Sequence, residues 1–126
     1  MIIFILTNEK IKGCKVNEKC RFIASYAFSR CERLKTLTLP EGLVSIGYSA
    51  FQECKSIKSL ILPNSIRHIG GGAFSECGSL IHGLCFNGTK DNWGCLDPNE
   101  VYKIGIDPTH TAFTVLHCTD GDVKIL

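Results

Sequence analysis

Three segments of this chain are copies of one another at a spacing of 23 residues. Ala27-Phe28-Ser29-Arg30-Cys31-Glu32-Arg33-Leu34-Lys35-Thr36-Leu37-Thr38-Leu39-Pro40 returns as Ala50-Phe51-Gln52-Glu53-Cys54-Lys55-Ser56-Ile57-Lys58-Ser59-Leu60-Ile61-Leu62-Pro63. A third copy opens as Ala73-Phe74-Ser75-Glu76-Cys77-Gly78-Ser79-Leu80, after which Gly83, Cys85 and Phe86 stand in the positions of Leu, Leu and Pro. One such unit cannot bury its own Leu and Phe. Stacking the units places identical residues over one another and shares a continuous core, so a fixed period of this length signals a solenoid. Each buried Leu, Ile or Phe then contributes roughly 1.5–3 kcal/mol.

The register extends upstream. Ile11, Cys14, Val16, Cys20 and Ile23 match Leu34, Leu37, Leu39, Leu43 and Ile46 at the same offset, so residues 11–23 form the second half of an earlier repeat. The apolar run Met1–Leu6 is then expected to be a lid or remnant strand over the open end of the stack. Solenoids need atypical end units because the last coil otherwise exposes its interior.

Within a repeat, Leu37-Thr38-Leu39 alternates like a half-buried strand. Pro40 ends the strand because it has no N–H to donate, and Pro40-Glu41-Gly42 reads as a turn. Leu43 and Ile46 return the chain to the core as a short extended piece. Ala50, Phe51, Cys54 and Ile57 fall at i, i+1, i+4 and i+7, the face of a helix of about two turns.

The pattern A-F-x-x-C-x-x-L-x-x-L-x-L-P, followed by an apolar residue and I-G, resembles the BspA-type leucine-rich repeat over residues 11–86. Two further segments carry the resemblance: Gly88-Thr89 to Trp93 is similar to a G-T-x-x-x-W segment that follows the last repeat, and Leu116 to Gly121 to a V-x-C-x-D-G ending, with Leu for Val. The fold reading is α/β: a right-handed leucine-rich-repeat solenoid with a parallel strand ribbon, short helices and a C-terminal capping hairpin. It divides into an N-terminal cap (1–10), repeats (11–86) and a C-terminal cap (87–126). In that cap Thr89 is the expected helix N-cap, Trp93 the plug, Ala112–His117 a strand, Thr119-Asp120-Gly121 a turn and Val123–Ile125 the returning strand.

Composition narrows the function. A formal net charge of +2 over 126 residues, with the signs mixed, offers no basic stripe for nucleic acid. Six apolar residues at the start are too few for a signal-peptide core or membrane span, so no membrane insertion is expected. That leaves a cytoplasmic chain, unless the sequence is one piece of a longer surface protein.

The eight cysteines raise the question of a disulfide framework. Cys31, Cys54 and Cys77 share one repeat position, Cys14 and Cys85 replace Leu, and Cys20 aligns with Leu43 and Ile66. These six read as small apolar core residues, a common role for a thiol. No C-x-x-C occurs, and no metal or other cofactor is expected. Asn87-Gly88-Thr89 is a glycosylation sequon, of consequence only in an exported eukaryotic chain, and otherwise helix-start chemistry.

Outward-pointing residues between the buried leucines form two columns: Gly13, Thr36, Ser59, His82 and Lys15, Thr38, Ile61, Leu84. Thr36, Thr38, Ser59, Ile61, His82, Leu84 and Phe86 are the candidate binding residues, with Ile61, Leu84 and Phe86 as an apolar patch beside His82, either exposed for binding or covered by the cap. A cysteine nucleophile needs a neighbouring base. His82 and Cys85 are close in sequence, but the repeat register turns Cys85 inward and His82 outward. The expectation is a non-catalytic module. The resemblance implies adhesion or binding to a protein or surface ligand; a structural piece of a larger repeat protein is the alternative, and a thiol-dependent enzyme the remote one.

Overall fold

The computed structural model describes residues 3–4, 11–80, 83–94 and 115–124. In chain order its elements are the strands Ile3–Phe4 (β1), Gly13–Lys15 (β2), Phe22–Ile23 (β3), Thr36–Thr38 (β4), Ser45–Ile46 (β5), Leu60–Pro63 (β6), His68–Ile69 (β7) and Leu84–Asn87 (β8). The helix Lys90–Trp93 (α1) follows, then the strands Val115–Cys118 (β9) and Gly121–Lys124 (β10).

The strands alternate between two sides of the coil. On one side β1, β3, β5 and β7 form a parallel sheet in that order, with Ile23, Ile46 and Ile69 in register and buried. The short extended piece after each Pro-Glu-Gly or Pro-Asn-Ser turn is therefore a second ribbon. On the other side lies the leucine ribbon, which is divided: β2 pairs with β4, while β6, β8, β9 and β10 form a separate four-stranded sheet. Turn chemistry connects the two sides. Leu43 N donates to Pro40 O at 3.2 Å and Ile66 N to Pro63 O at 3.1 Å.

The third side of each coil differs from the expected helix. Residues 24–34, 47–57 and 70–80 are successive tight turns, and α1 is the only helix among the described residues. Alternate amides serve two bond sets. Ala27 N, Ser29 N and Cys31 N donate within the coil to Ala24 O, Tyr26 O and Phe28 O. Tyr26 N, Phe28 N and Arg30 N donate to Tyr48 O, Ala50 O and Gln52 O of the next coil. An α-helix would consume those amides internally. The arc is bent by left-handed backbone at Tyr26, Arg30, Ser49, Glu53 and Glu76, with φ between 52° and 62°, a conformation that a helix interior excludes.

Stacking follows the period. Ala27, Ala50 and Ala73 are buried in one column; the Phe28 and Phe51 ring centroids lie 5.1 Å apart, and those of Phe51 and Phe74 5.4 Å apart, with planes within 13°. Cys31, Cys54 and Cys77 are fully buried, and none of the seven described cysteines is in a disulfide. Their thiols also hold the coils together: Cys54 Sγ donates to Phe28 O at 3.0 Å and Cys77 Sγ to Phe51 O at 2.9 Å. A single cluster of buried side chains runs from Val16 to Leu116.

The third copy departs from the 23-residue register. Ile57 and Leu80 keep the period, but Leu60 pairs with Leu84, Ile61 with Cys85 and Leu62 with Phe86. One residue has been added between Leu80 and Leu84. Side chains alternate along a strand, so a one-residue slip exchanges its two faces. Leu84 and Phe86, expected outside, are 0% and 1% exposed, and Cys85, expected inside, faces out. Just before β8 the chain passes close to its neighbour: a Cβ on Gly83 would fall 1.9 Å from Lys58 O.

The cap closes the stack beyond β8. Thr89 accepts from Asn92 N at 3.2 Å as N-cap of α1, and Trp93 is buried edge-on against Phe86 at 5.3 Å. The β9–β10 hairpin docks parallel to β8, with Asp120 Oδ1 accepting from Lys90 N at 2.8 Å. Its turn is Thr119-Asp120. Residues 112–114 and 125 of the expected strands, like most of Met1–Leu6, lie outside the described residues.

Candidate functional site: the outer face of the leucine ribbon

Thr36 and Thr38 project from β4 because Leu37 between them is buried. Ile61 projects from β6 between buried Leu60 and Leu62 and is 59% exposed, an unusual cost for a large aliphatic side chain. Ser59 precedes β6 and is exposed. These four line one surface hollow of about 270 Å³, at the place where β4 and β6 belong to separate sheets. Lys35 and Glu41 stand at its polar margins, and Leu39 adds apolar lining. Glu41 is held in place by Asn87, whose Nδ2 donates to Glu41 Oε1 at 2.9 Å.

Of the seven candidate residues, then, Thr36, Thr38, Ser59 and Ile61 come together. Leu84 and Phe86 do not, being core. His82 lies outside the described residues. The apolar patch shrinks to Ile61, and its neighbour toward the C terminus is a thiol.

That neighbour begins a second group of residues. The ladders set Ile61 beside Cys85, Cys85 beside His117, and His117 beside Asp122. Leu84, Phe86 and Leu116 are buried, so alternation puts Cys85 and His117 on the outer face together. His117 Nδ1 lies 2.8 Å from Asp122 Oδ1. Cys85, His117 and Asp122 form a line across three strands, not a ring around a point. Among the described residues no group of three or more His, Cys, Asp or Glu is placed to hold a metal ion.

The other thiols are in different surroundings. Burial pushes the Cys77 thiol up to about 12, and burial together with Cys77 and Cys31 pushes Cys54 up. Burial raises Cys14; burial and the Asp120 and Asp122 carboxylates raise Cys118, against the pull of Lys90. A thiol held protonated is a poor nucleophile. The pairing of Cys85 with His117 is invisible to the 23-residue period, because β9 joins the ribbon from beyond the repeats. The available signal was the alternation Leu84-Cys85-Phe86, whose two large side chains compete for the core.

A stack of near-identical coils with parallel ribbons, a shared core and one laterally extended outer face defines a repeat protein of the solenoid class. The profile of the BspA type leucine-rich repeat region matches residues 4–91 in six copies, and the chain belongs to that family. A crystal structure of a leucine-rich repeat protein from T. pallidum is 32% identical, with a TM-score of 0.54, over 59% of this chain. The match spans 33% of that protein, so the matched part of this chain corresponds to about a third of its length. Among curated proteins, none matches. No helix among the described residues is long and apolar enough to cross a membrane.

Proposed function

We propose that the chain is a non-catalytic interaction module that receives a segment of a protein partner on the outer face of its leucine ribbon. The observation that carries this is the position of Ile61, the one large aliphatic side chain exposed in the hollow, among the hydroxyls of Thr36, Thr38 and Ser59. An apolar anchor ringed by hydrogen-bonding groups is the arrangement in which few residues carry most of the binding energy. Membership of a leucine-rich repeat family supports a binding role over chemistry, since repeat proteins present extended faces to partners.

The test is selection of peptides from a displayed library on the folded chain, followed by affinity measurement on variants. Peptides that use this face lose about ten-fold or more in affinity, ~1.4 kcal/mol, on Ile61→Asp and on Thr38→Lys, while both variants melt like the parent. Selected peptides indifferent to both substitutions, or no enrichment at all, would refute the assignment.

A further inference from the structure

We propose that the partner segment received in the hollow is an acidic peptide, one that carries an Asp or Glu about three residues from the apolar side chain it packs on Ile61. The assignment rests on the binding role of the hollow and names the chemistry of what enters it.

The charge comes from the repeat itself. Lys12, Lys35 and Lys58 occupy one position in three successive coils, just before β2, β4 and β6. Lys35 N donates to Lys12 O at 2.8 Å, so these two lie over one another on neighbouring coils. All three lysines are exposed, and none is in an ion pair with a described carboxylate. Composition averages this column away, because acidic residues elsewhere bring the net charge down to +2. Like charges opposite one another on neighbouring strands repel, so the column lowers the stability of the stack. Folding gives no reason for it.

The column borders a second hollow, of about 350 Å³, lined by Lys35, Lys55, Ser56, Lys58 and Ser79. Ser56 donates its hydroxyl proton to Glu32 O, and Ser79 donates to Lys55 O at 2.5 Å. The three amines are then the side-chain donors left to a ligand. Glu32 lies 3.8 Å from Lys55 Nζ, with both side chains more than half exposed. An exposed pair of that kind is weak and leaves the hollow cationic.

Lys35 lines this hollow and the one around Ile61, so the two adjoin. Lys58 precedes Ile61 by three residues, roughly 10 Å of extended chain. A peptide laid along β6 meets both when its acidic and apolar residues have the same spacing. Two observations favour a peptide over a uniform polyanion. The lysine column is short, since three coils at ~4.8 Å span roughly 10 Å. The charge also changes sign along the ribbon: Lys35 precedes β4, whereas Glu41 follows it and lines the Ile61 hollow. A nucleic acid or sulfated glycan running along this face would be repelled by that carboxylate.

The experiment selects peptides from a displayed random library on the intact folded chain, then measures binding kinetics of synthetic copies on variants. Enriched peptides are expected to carry Asp or Glu about two to four residues from an apolar residue. Lys35→Glu and Lys58→Glu should each weaken them about five-fold, mainly through slower association. Added salt should weaken the parent complex and affect these variants less. Lys19→Glu, an equal change of net charge beyond β2, should leave affinity unchanged. Lys35→Glu places a carboxylate between two lysines of the column, so it should melt no lower than the parent. A damaged fold would lose melting temperature and affinity together, and would not support the assignment. Peptides lost on Ile61→Asp but indifferent to both lysine reversals would overturn it and leave the binding role of the hollow standing. Peptides lost on the reversals but indifferent to Ile61→Asp would overturn both readings, leaving a basic patch unconnected to the hollow. No enrichment would remove the binding role and this assignment with it. Heparin or oligodeoxythymidine bound more tightly than any selected peptide, and lost on Lys35→Glu, would overturn it in favour of a polyanion.

Discussion

Ile61 of β6 lies opposite Cys85 of β8 in the parallel ladder, although 24 residues separate them and the equivalent rung between Lys15 and Thr38 spans 23. The repeat register puts Lys15, Thr38 and Ile61 in one row, which breaks between β4 and β6 and runs on from Ile61 beside a thiol and into the cap, through His117 to Asp122. Two kinds of chemistry meet along it. The repeats supply hydroxyls and an aliphatic anchor, and the junction with the cap supplies titratable groups.

The slip makes opposite predictions for two residues that the repeat alone treats as equals. Ile61→Asp places a carboxylate in solvent and should change stability by no more than about 0.5 kcal/mol. Leu84 is 0% exposed, so Leu84→Asp buries an unpaired charge and should cost more than ~3 kcal/mol, enough to abolish a cooperative melt in a small domain. Leu84→Ala should cost ~2–5 kcal/mol. Thermal unfolding by circular dichroism separates the two; equal melting of the two aspartate variants would place Leu84 outside.

Gly83 is the described residue next to the slip, where β8 begins against β6. A Cβ there would fall 1.9 Å from Lys58 O and 2.7 Å from Ser59 Cα, both backbone atoms that cannot step aside. Gly83→Ala should destabilise by about 1–3 kcal/mol through forced separation of β6 and β8. Urea unfolding measures it. An unchanged midpoint would show that this contact opens freely.

How much of this was legible depends on what the period carries. Identical side chains in identical surroundings announce themselves, so the columns of Ala, Phe and Cys were readable from residues 27, 50 and 73 onward, as were Thr89 as cap and Trp93 as plug. The turn arc was not. Ala50, Phe51, Cys54 and Ile57 repeat every three or four residues whether the backbone is helical or a chain of turns. The left-handed backbone that decides the matter falls on Tyr26, Arg30, Ser49, Glu53 and Glu76, residue types that do not advertise it. The slip at Leu84 was hidden because Gly83-x-Cys85 and Leu84-x-Phe86 both alternate. Energy decides between them: burying Leu and Phe yields far more than burying Gly and Cys. The strand neighbour of Cys85 was beyond reach, since His117 arrives from a segment outside the repeats.

The aromatic column supports a third prediction. Phe51 sits between Phe28 and Phe74 with ring planes at 13° and 2°. Phe51→Ala should cost ~3–5 kcal/mol, transfer and cavity terms together. A Phe51/Phe74 double-mutant cycle should return a coupling of about 0.5–1.5 kcal/mol. Strict additivity in that cycle would mean the rings fill space without interacting.

The thiol column makes stability fall in alkali. In the unfolded chain a cysteine titrates near its ordinary ~8.5, whereas in the folded chain burial holds Cys77 up at about 12 and also raises Cys54. The folded state thus binds the proton more tightly. The contribution of these thiols is fully present below pH ~8.5 and is lost as pH rises from there toward the folded value, by up to ~1.4 kcal/mol per pH unit for each thiol. Denaturant midpoints should be flat between about pH 7 and 8 and drop between about pH 9 and 11. Cys77→Ala should lower the midpoint at neutral pH, because it removes the hydrogen bond to Phe51 O and leaves a small cavity. The same variant should show a shallower alkaline slope than the parent, since one proton fewer is released on unfolding. A slope identical to the parent's would mean that Cys77 already ionises in the folded stack, which is incompatible with a sealed column of thiols between the coils.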